Sequence, residues 1–458
     1  MKKRVLCGLL MVILISITGC NDNAIETKEL LEDLDYYVNI IRQAHGDPFR
    51  KISEQDFKRS VEELKQQMQA WKKGKISIIK YYYYLQELAA LMQDGHTSID
   101  FPFQSWDISE PVFPFRLKVI DRKIYVIEKW GKDSVPSFSQ ILEINKIPIE
   151  TLFKRSSKLY NTSLDHSKSL LFENNFGHTL STYHGLKPPW TVTFKCDNQV
   201  KTAAVKGTTS KEYFARWQES YNNQYRAYSI TVDGQELPVL EIPGYSNGNE
   251  EDYHRFIDEF FEKHKESGHL VIDVRCNDGG SGYWGYYLLD YLADAPYLIK
   301  KSFDFKVSEH LRNSIYADKA GKKLSDAENG EYLTVQSNLM WTPHTDENKF
   351  RGKVFLLISE KTFSAGAVTA AIFKFNKMGI IIGQETSGRE RLCSDPVTIE
   401  LPHTKLKASI PLAIYTLPGD NPDRGVIPDI RINYSIKDYE NGVDKEIQKV
   451  REFIINGS

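Results

Sequence analysis

Apolar positions in the first part of the chain recur at helical spacing. Between residues 24 and 46 they are Leu30, Leu31, Leu34, Tyr37, Val38 and Ile41, which predicts an amphipathic helix. Ser53-Glu54-Gln55-Asp56 has the form of a capping box, with Asp where Glu or Gln is usual, and predicts a second helix running to about Lys73. A third is expected from about Ile78, with Ser77 as its N-cap. It carries Tyr81 to Tyr84, Leu85, Leu88, Leu91 and Met92 and stops at Gly95. The tyrosine run reads as packing surface. From Phe101 the texture changes to short β-rich segments at residues 113–120, 123–128 and 140–145, broken by Pro and Gly, and a small β domain is expected to about Gly207. After about Lys211, helical patterns at 252–266, 283–292 and 365–375 alternate with continuous apolar runs at 270–274, 354–358 and 380–382. Strands apolar on both faces, with helices between them, predict a layered α/β core of parallel strands. The charged stretch 304–338 reads as a surface insertion in that core.

The N-terminal end follows a different pattern. Lys2, Lys3 and Arg4 precede an apolar run from Val5 to Ile17, which fits a signal peptide and falls short of the ~20 residues of a membrane span. The run ends Ile17-Thr18-Gly19-Cys20, similar to a bacterial lipobox; the alternative is a plain secretory signal cut nearby. The expectation is a lipoprotein signal peptide at 1–20, with Cys20 as the lipidated residue. The mature protein would then lie outside the cytoplasm, in the cell envelope, touching membrane through the lipid anchor only.

Composition removes several classes. With 59 Lys+Arg against 61 Asp+Glu the net charge is -2, so nucleic acid is not an expected partner. Hydrophobic residues at 41% fit a globular chain rather than a multi-span membrane protein. The 5 cysteines (Cys7, Cys20, Cys196, Cys276, Cys393) form no CxxC pair, and the 11 histidines no HExxH motif. Neither a metal nor an organic cofactor is expected. Removal of the leader would leave Cys196, Cys276 and Cys393, an odd set in which a monomer keeps at least one free thiol.

Three segments at the edges of predicted elements carry candidate chemistry. Ile272-Asp273-Val274-Arg275-Cys276-Asn277-Asp278-Gly279-Gly280 is a buried strand ending in paired glycines, whose N–H groups can point into a gap and hold a developing oxyanion. A strand-to-helix turn with glycines chosen for geometry alone explains it equally well. Lys361-Thr362-Phe363-Ser364-Ala365-Gly366-Ala367 places Ser364 where a helix begins, a position that favours negative charge. Taken alone it reads as a helix cap. Asp94-Gly95-His96-Thr97 follows the third helix, and histidine suits general-base work near neutral pH.

Together the three segments resemble the S41 peptidases, the tail-specific or C-terminal processing proteases and their tricorn relatives. The D-G-H-T motif falls at 94–97, the Asp-Arg-Asn-Gly-Gly strand end at 273–280 and T-x-S-A at 362–365. Gly383-Gln384-Glu385-Thr386-Ser387-Gly388 loosely matches a further turn, and Gly425-Val426-Ile427-Pro428-Asp429 the closing G-V-x-P-D segment. The resemblance spans roughly 75–432. It implies Ser364 as nucleophile and the amide of Ala365, with that of Gly279 or Gly280, as oxyanion hole. It implies His96 as a tricorn-type general base, with Asp423 the nearest matching acid and Asp94 a local alternative. Many members use a Ser–Lys dyad instead, but here Arg389 stands 25 residues after Ser364, and arginine cannot act as the base. Gly366-Ala367 also departs from the alanine-glutamate pair often found in relatives. The segment 141–153 is similar to the strand-turn-strand that leads into a helix in PDZ domains.

The expected architecture is therefore α/β and multidomain: a helical domain at 21–100, a PDZ-like β domain at 101–207 and a ClpP/crotonase-like S41 catalytic domain at 208–458. The expected activity is that of a serine endopeptidase of the bacterial cell envelope acting on protein or peptide substrates. A non-catalytic peptide-binding lipoprotein on the same scaffold is the rival from another class, and an esterase or small-molecule binder a third.

Overall fold

The computed structural model describes residues 24–456, apart from 72–73, 108, 132–133, 220–223, 247, 345–346 and 420, and apart from the side chains of 217–219. The leader at 1–20, with Cys20, lies outside the described residues. Among those described, no helix is long and apolar enough to cross a membrane.

The helices of the N-terminal segment are α1 (Thr27–Ala44), α2 (Glu54–Gln69) and α3 (Ile78–Ala90). The Ser53 and Ser77 side chains accept from the amides of Asp56 and Lys80, as expected of N-caps. These helices have no core of their own. Leu30, Leu34, Tyr81 and Leu85 join a single cluster with Ile272, Leu356, Val368 and Ile410 of the later α/β part. Asp33, fully buried on α1, accepts from the amides of His403 and Thr404, tying the helix to the loop between two later strands.

The central sheet has the strand order Arg226–Val232, Gln235–Glu241, His269–Asp273, Lys353–Ile358, Ile380–Gly383 and Ile430–Arg431. The first pair is antiparallel; every later neighbour is parallel. Successive residues explain why these strands are continuously apolar. Leu270, Ile272, Leu356 and Ile358 enter the core shared with α1–α3. Val271, Phe355 and Leu357 face the other way, in a core closed by Val450 on the helix Lys445–Asn456. Both faces are covered, as predicted for parallel strands.

The stretch 304–338 is not an insertion lying on the surface. Tyr297–Lys306 and Tyr332–Trp341 pair antiparallel and bracket its short helices. They continue through Lys407–Thr416 to Arg391–Glu400 as a second, antiparallel sheet. Tyr332–Trp341 is an edge strand with alternate residues exposed, so its polar face hid the strand period in the sequence. The same sheet receives Ser98–Ile99, paired with Ser409 and Ala408, and that pairing fixes the chain just after His96.

Residues 115–205 form a third sheet, Phe115–Ile120, Lys123–Lys129, Gln140–Ile144, Trp190–Cys196 and Gln199–Val205 in that order. Two helices accompany it, α4 (Ile149–Ser156) and α5 (Asp165–Thr182), the second of which the sequence pattern did not reveal. This unit has a separate core built on Phe113, Phe172, Phe176 and Trp190.

Candidate active site

In open α/β sheets the groups that meet a ligand sit beyond the carboxyl ends of the strands. Here two neighbouring parallel strands, ending at Asp273 and Ile358, deliver the loops that carry Gly279 and Ser364 side by side. The loops are laced together. The Thr362 hydroxyl donates to Val274 O (2.8 Å), the Ser359 hydroxyl to Arg275 O (2.6 Å) and the Phe363 amide to Asn277 O (2.9 Å). Gly366 is required by this contact: a Cβ there would stand 2.6 Å from Asn277 O.

Ser364 precedes the helix Ala365–Phe375 but does not cap it. Its side chain makes no capping bond, and its backbone sits at φ 48, ψ -123. A non-glycine residue in that region carries strain of about 1–3 kcal/mol and is found where surrounding structure imposes it, often at functional turns. The imposed turn presents Oγ to the His96 ring, with Nε2 3.1 Å away. The ring is stacked on Phe363 at 4.8 Å between centroids. Burial pushes the His96 pKa below the ordinary value, against the opposing charges of Asp94 and Asp395. A neutral imidazole can then accept the serine proton.

The Asp94-Gly95-His96-Thr97 turn is organised by its aspartate. Asp94 Oδ1 accepts from the amides of His96 and Thr97 (2.8 Å each) and from Asn161 Nδ2 (2.9 Å). Oδ2 accepts from the Thr97 hydroxyl and His45 Nε2, both at 2.6 Å. Burial would raise the Asp94 pKa, but these bonds hold it well below the carboxylate range. Asp94 therefore shapes the backbone under His96 and does not touch the ring. The Asn161 and His45 partners escaped sequence reasoning because they come from distant segments. The Asp94 role itself was readable as an Asx-type turn.

Asp423 is not brought to the histidine. His96 Nδ1 is buried with no hydrogen-bond partner, while Asp423 Oδ1 accepts from Arg50 Nη2 (2.7 Å) and Lys51 Nζ (2.6 Å). Two cations of the α1–α2 loop capture the carboxylate at a half-exposed position. Arg389, expected near the serine, is buried and donates to Gln93 O (2.7 Å) and to the Ser163 hydroxyl. It braces the turn that carries His96.

The two glycines differ. Gly279 is buried against the serine, where a Cβ would lie 2.6 Å from Ser364 Cβ and 3.2 Å from the Ala365 nitrogen. Its amide already donates to Asn277 Oδ1 (3.1 Å). Gly280 is exposed, at φ 116 beside Tyr245.

His45, Asp94 and Cys393 converge closely enough to suggest a metal site. The His45 ring is already committed, however. Nδ1 accepts from the Asp47 amide (3.0 Å), so the proton sits on Nε2 and points at Asp94. No ring lone pair is left for a cation. Cys196, Cys276 and Cys393 are all free thiols.

The architecture is similar to that of mature CPAF complexed with lactacystin, at 18% identity over 94% of this chain and 99% of that one, with a TM-score of 0.67. A CPAF point mutant superposes with a TM-score of 0.70 at 16% identity, covering 94% of this chain and 97% of that one. A structure from Parabacteroides merdae reaches 0.50 at 14% identity, over 93% and 96%. None of the curated proteins matches the sequence. Residues 237–432, which hold the loops carrying Gly279 and Ser364, match the model of peptidase family S41. This segment, less than half of the chain, is thus similar to peptidase family S41, and the likeness supports a serine-type peptidase acting on proteins or peptides.

Proposed function

We propose that the protein is an endopeptidase working through a Ser364–His96 pair, and the observation that carries this is the 3.1 Å approach of His96 Nε2 to Ser364 Oγ. In this reading the histidine takes the serine proton as Oγ attacks the scissile carbonyl, then delivers it to the leaving amine. The oxyanion is held by the amides of Ala365 and Gly280; the Gly279 amide serves Asn277 instead and keeps the loop closed. Asp94 orients the His96 backbone, and no carboxylate assists the ring. The strained Ser364 turn supports catalysis over the peptide-binding alternative, since a binding module gains nothing from it. The unit at 101–207 is read as a PDZ-like module that presents the peptide. The leader and Cys20 support a lipid-anchored protein of the cell envelope.

Labelling with a fluorophosphonate probe tests the pair directly. Wild-type chain should label and cleave peptides from a library; Ser364→Ala should do neither while keeping its fold. Undiminished cleavage by the alanine variant would place the nucleophile elsewhere.

A further inference from the structure

Between the third sheet, α3 and the catalytic loops lies a cavity of about 560 Å³, reaching Gly95 and Phe363 beside the catalytic pair. Tyr82, Trp130, Tyr160, Tyr213 and Tyr439 contribute aromatic walls. In the same lining three buried charges meet. Lys118 Nζ lies 2.7 Å from Glu360 Oε1 and 3.1 Å from Glu173 Oε2. The Val119 amide donates to Glu173 Oε1 (2.8 Å), so that carboxylate is bonded at both oxygens. Glu360 Oε2 is buried and meets no donor. Two carboxylates thus share one ammonium, and one of their oxygens is unspent.

The remaining charges around the cavity are otherwise engaged. Asp94 is held by His45, Thr97 and Asn161, Arg389 by Gln93 and Ser163, and Arg116 pairs with Glu128. Asp278 and Lys361 are exposed at the mouth and of opposite sign. A buried anion without its full set of donors is costly, and a cation brought by a ligand would relieve it. Aromatic walls suit the long stem and the planar head of a basic side chain.

We propose that this cavity is a subsite for a lysine or arginine side chain of the peptide substrate, its charge taken by Glu360 with Glu173. The assignment rests on the peptidase reading of Ser364 and His96, and deepens it by naming a substrate class. The cavity lining reaches Gly95 and Phe363, the chain neighbours of His96 and Ser364, so a peptide whose basic side chain is held here runs past the candidate pair. Burial and the Glu360 charge push the Glu173 pKa upward, while at Glu360 burial is overcome by Lys118, which lowers the pKa to about 2, so that carboxylate stays charged.

The test measures binding separately from turnover. Full-length Ser364→Ala chain is titrated with fluorescent peptides in which arginine, or its neutral isostere citrulline, is moved through each position. Arginine should bind at least about tenfold more tightly than citrulline at one position, the size of a charged hydrogen bond. Adding Glu360→Gln should reduce that ratio to within about threefold of unity, and Glu173→Gln should lower it. Lys118→Met should raise it, because both carboxylates then lack a partner; a purely structural ion cluster would give no such rise. No preference at any position overturns the proposal, as does a ratio unchanged in Glu360→Gln. Loss of citrulline-peptide binding in both glutamine variants also overturns it, by showing that the carboxylates only tie the sheets together. If the wild-type chain fails to cleave while the arginine preference stands, the catalytic reading falls and the subsite remains.

Discussion

Ser364 and His96 illustrate what a residue's surroundings add to its type. Both were legible in the sequence, because a serine after a buried strand and a histidine after a helix end recurred together with the glycine pair. What the sequence left open was whether the serine caps its helix, and the absent cap bond with φ 48 speaks against that employment. Asp423 shows the opposite case: the family resemblance implied it as the nearest matching acid, but Arg50 and Lys51 come from a segment far away in sequence, and their capture of it was not readable from local pattern. Three outcomes follow at this scale. Burial destabilises the imidazolium of His96 and lowers its pKa below the ordinary 6.5. The base is therefore neutral, and active, down to a lower pH than a solvated histidine would be. The pH profile of kcat/KM should rise through an inflection below that value and be flat across neutrality; an inflection above it contradicts the assignment. His96→Ala should lose about 10²–10⁴-fold in turnover, the range of a general base. Asp423→Asn, removing only a half-exposed ion pair, should stay within a few-fold of wild type.

Elements act here through their ends. Predicted strands and helices of the central sheet were found close to where apolar periodicity put them, because burial on both faces leaves an unmistakable continuous run. The second sheet was missed for the converse reason: edge strands such as Tyr332–Trp341 expose alternate polar residues and read as loop. The candidate site lies in the two loops after Asp273 and Ile358, which hold each other through Ser359, Thr362 and Asn277. Gly279 is the tightest point between them. Gly279→Ala would place a methyl 2.6 Å from Ser364 Cβ at φ +117, so either the serine or the amide row must move. Fluorophosphonate labelling should fall more than about tenfold, since misaligning an oxyanion donor costs at least that much. The substitution should cost about 1–3 kcal/mol of stability from its backbone strain. Full labelling by this variant would mean that the glycine loop does not frame the nucleophile.

At the scale of the molecule, His96 and Ser364 join two ends of one hydrophobic core. The sequence divides the chain by texture, helical to about residue 100, β-rich to about 207, then α/β, yet packing follows a different partition. Leu30, Leu34 and Leu85 share their cluster with Ile272 and Leu356, whereas Phe113, Phe172 and Trp190 form another. Texture reports local period; which apolar faces meet is a tertiary matter that no local pattern encodes. His96 is held over Ser364 because α1 is anchored by Asp33 to the 403–404 turn, Ser98–Ile99 adds to the second sheet, and Arg389 grips Gln93. The helical segment and the catalytic sheet should therefore unfold as one cooperative unit, with the 115–205 sheet able to open separately. Hydrogen exchange under increasing denaturant should show α1, α3 and the central strands losing protection together. Asp33→Ala should lower the stability of that unit by about 1–3 kcal/mol, because it leaves the buried Thr404 amide and the part-buried His403 amide without an acceptor. Turnover should fall in the same variant only under conditions where α1 protection is lost, since the side chain touches neither Ser364 nor His96. Deleting residues 24–98 should yield an aggregating chain, as the surfaces around Ile410 and Leu412 would be uncovered. A soluble, cooperatively folded product of that deletion would show that the helices are an independent domain and that the shared core is dispensable.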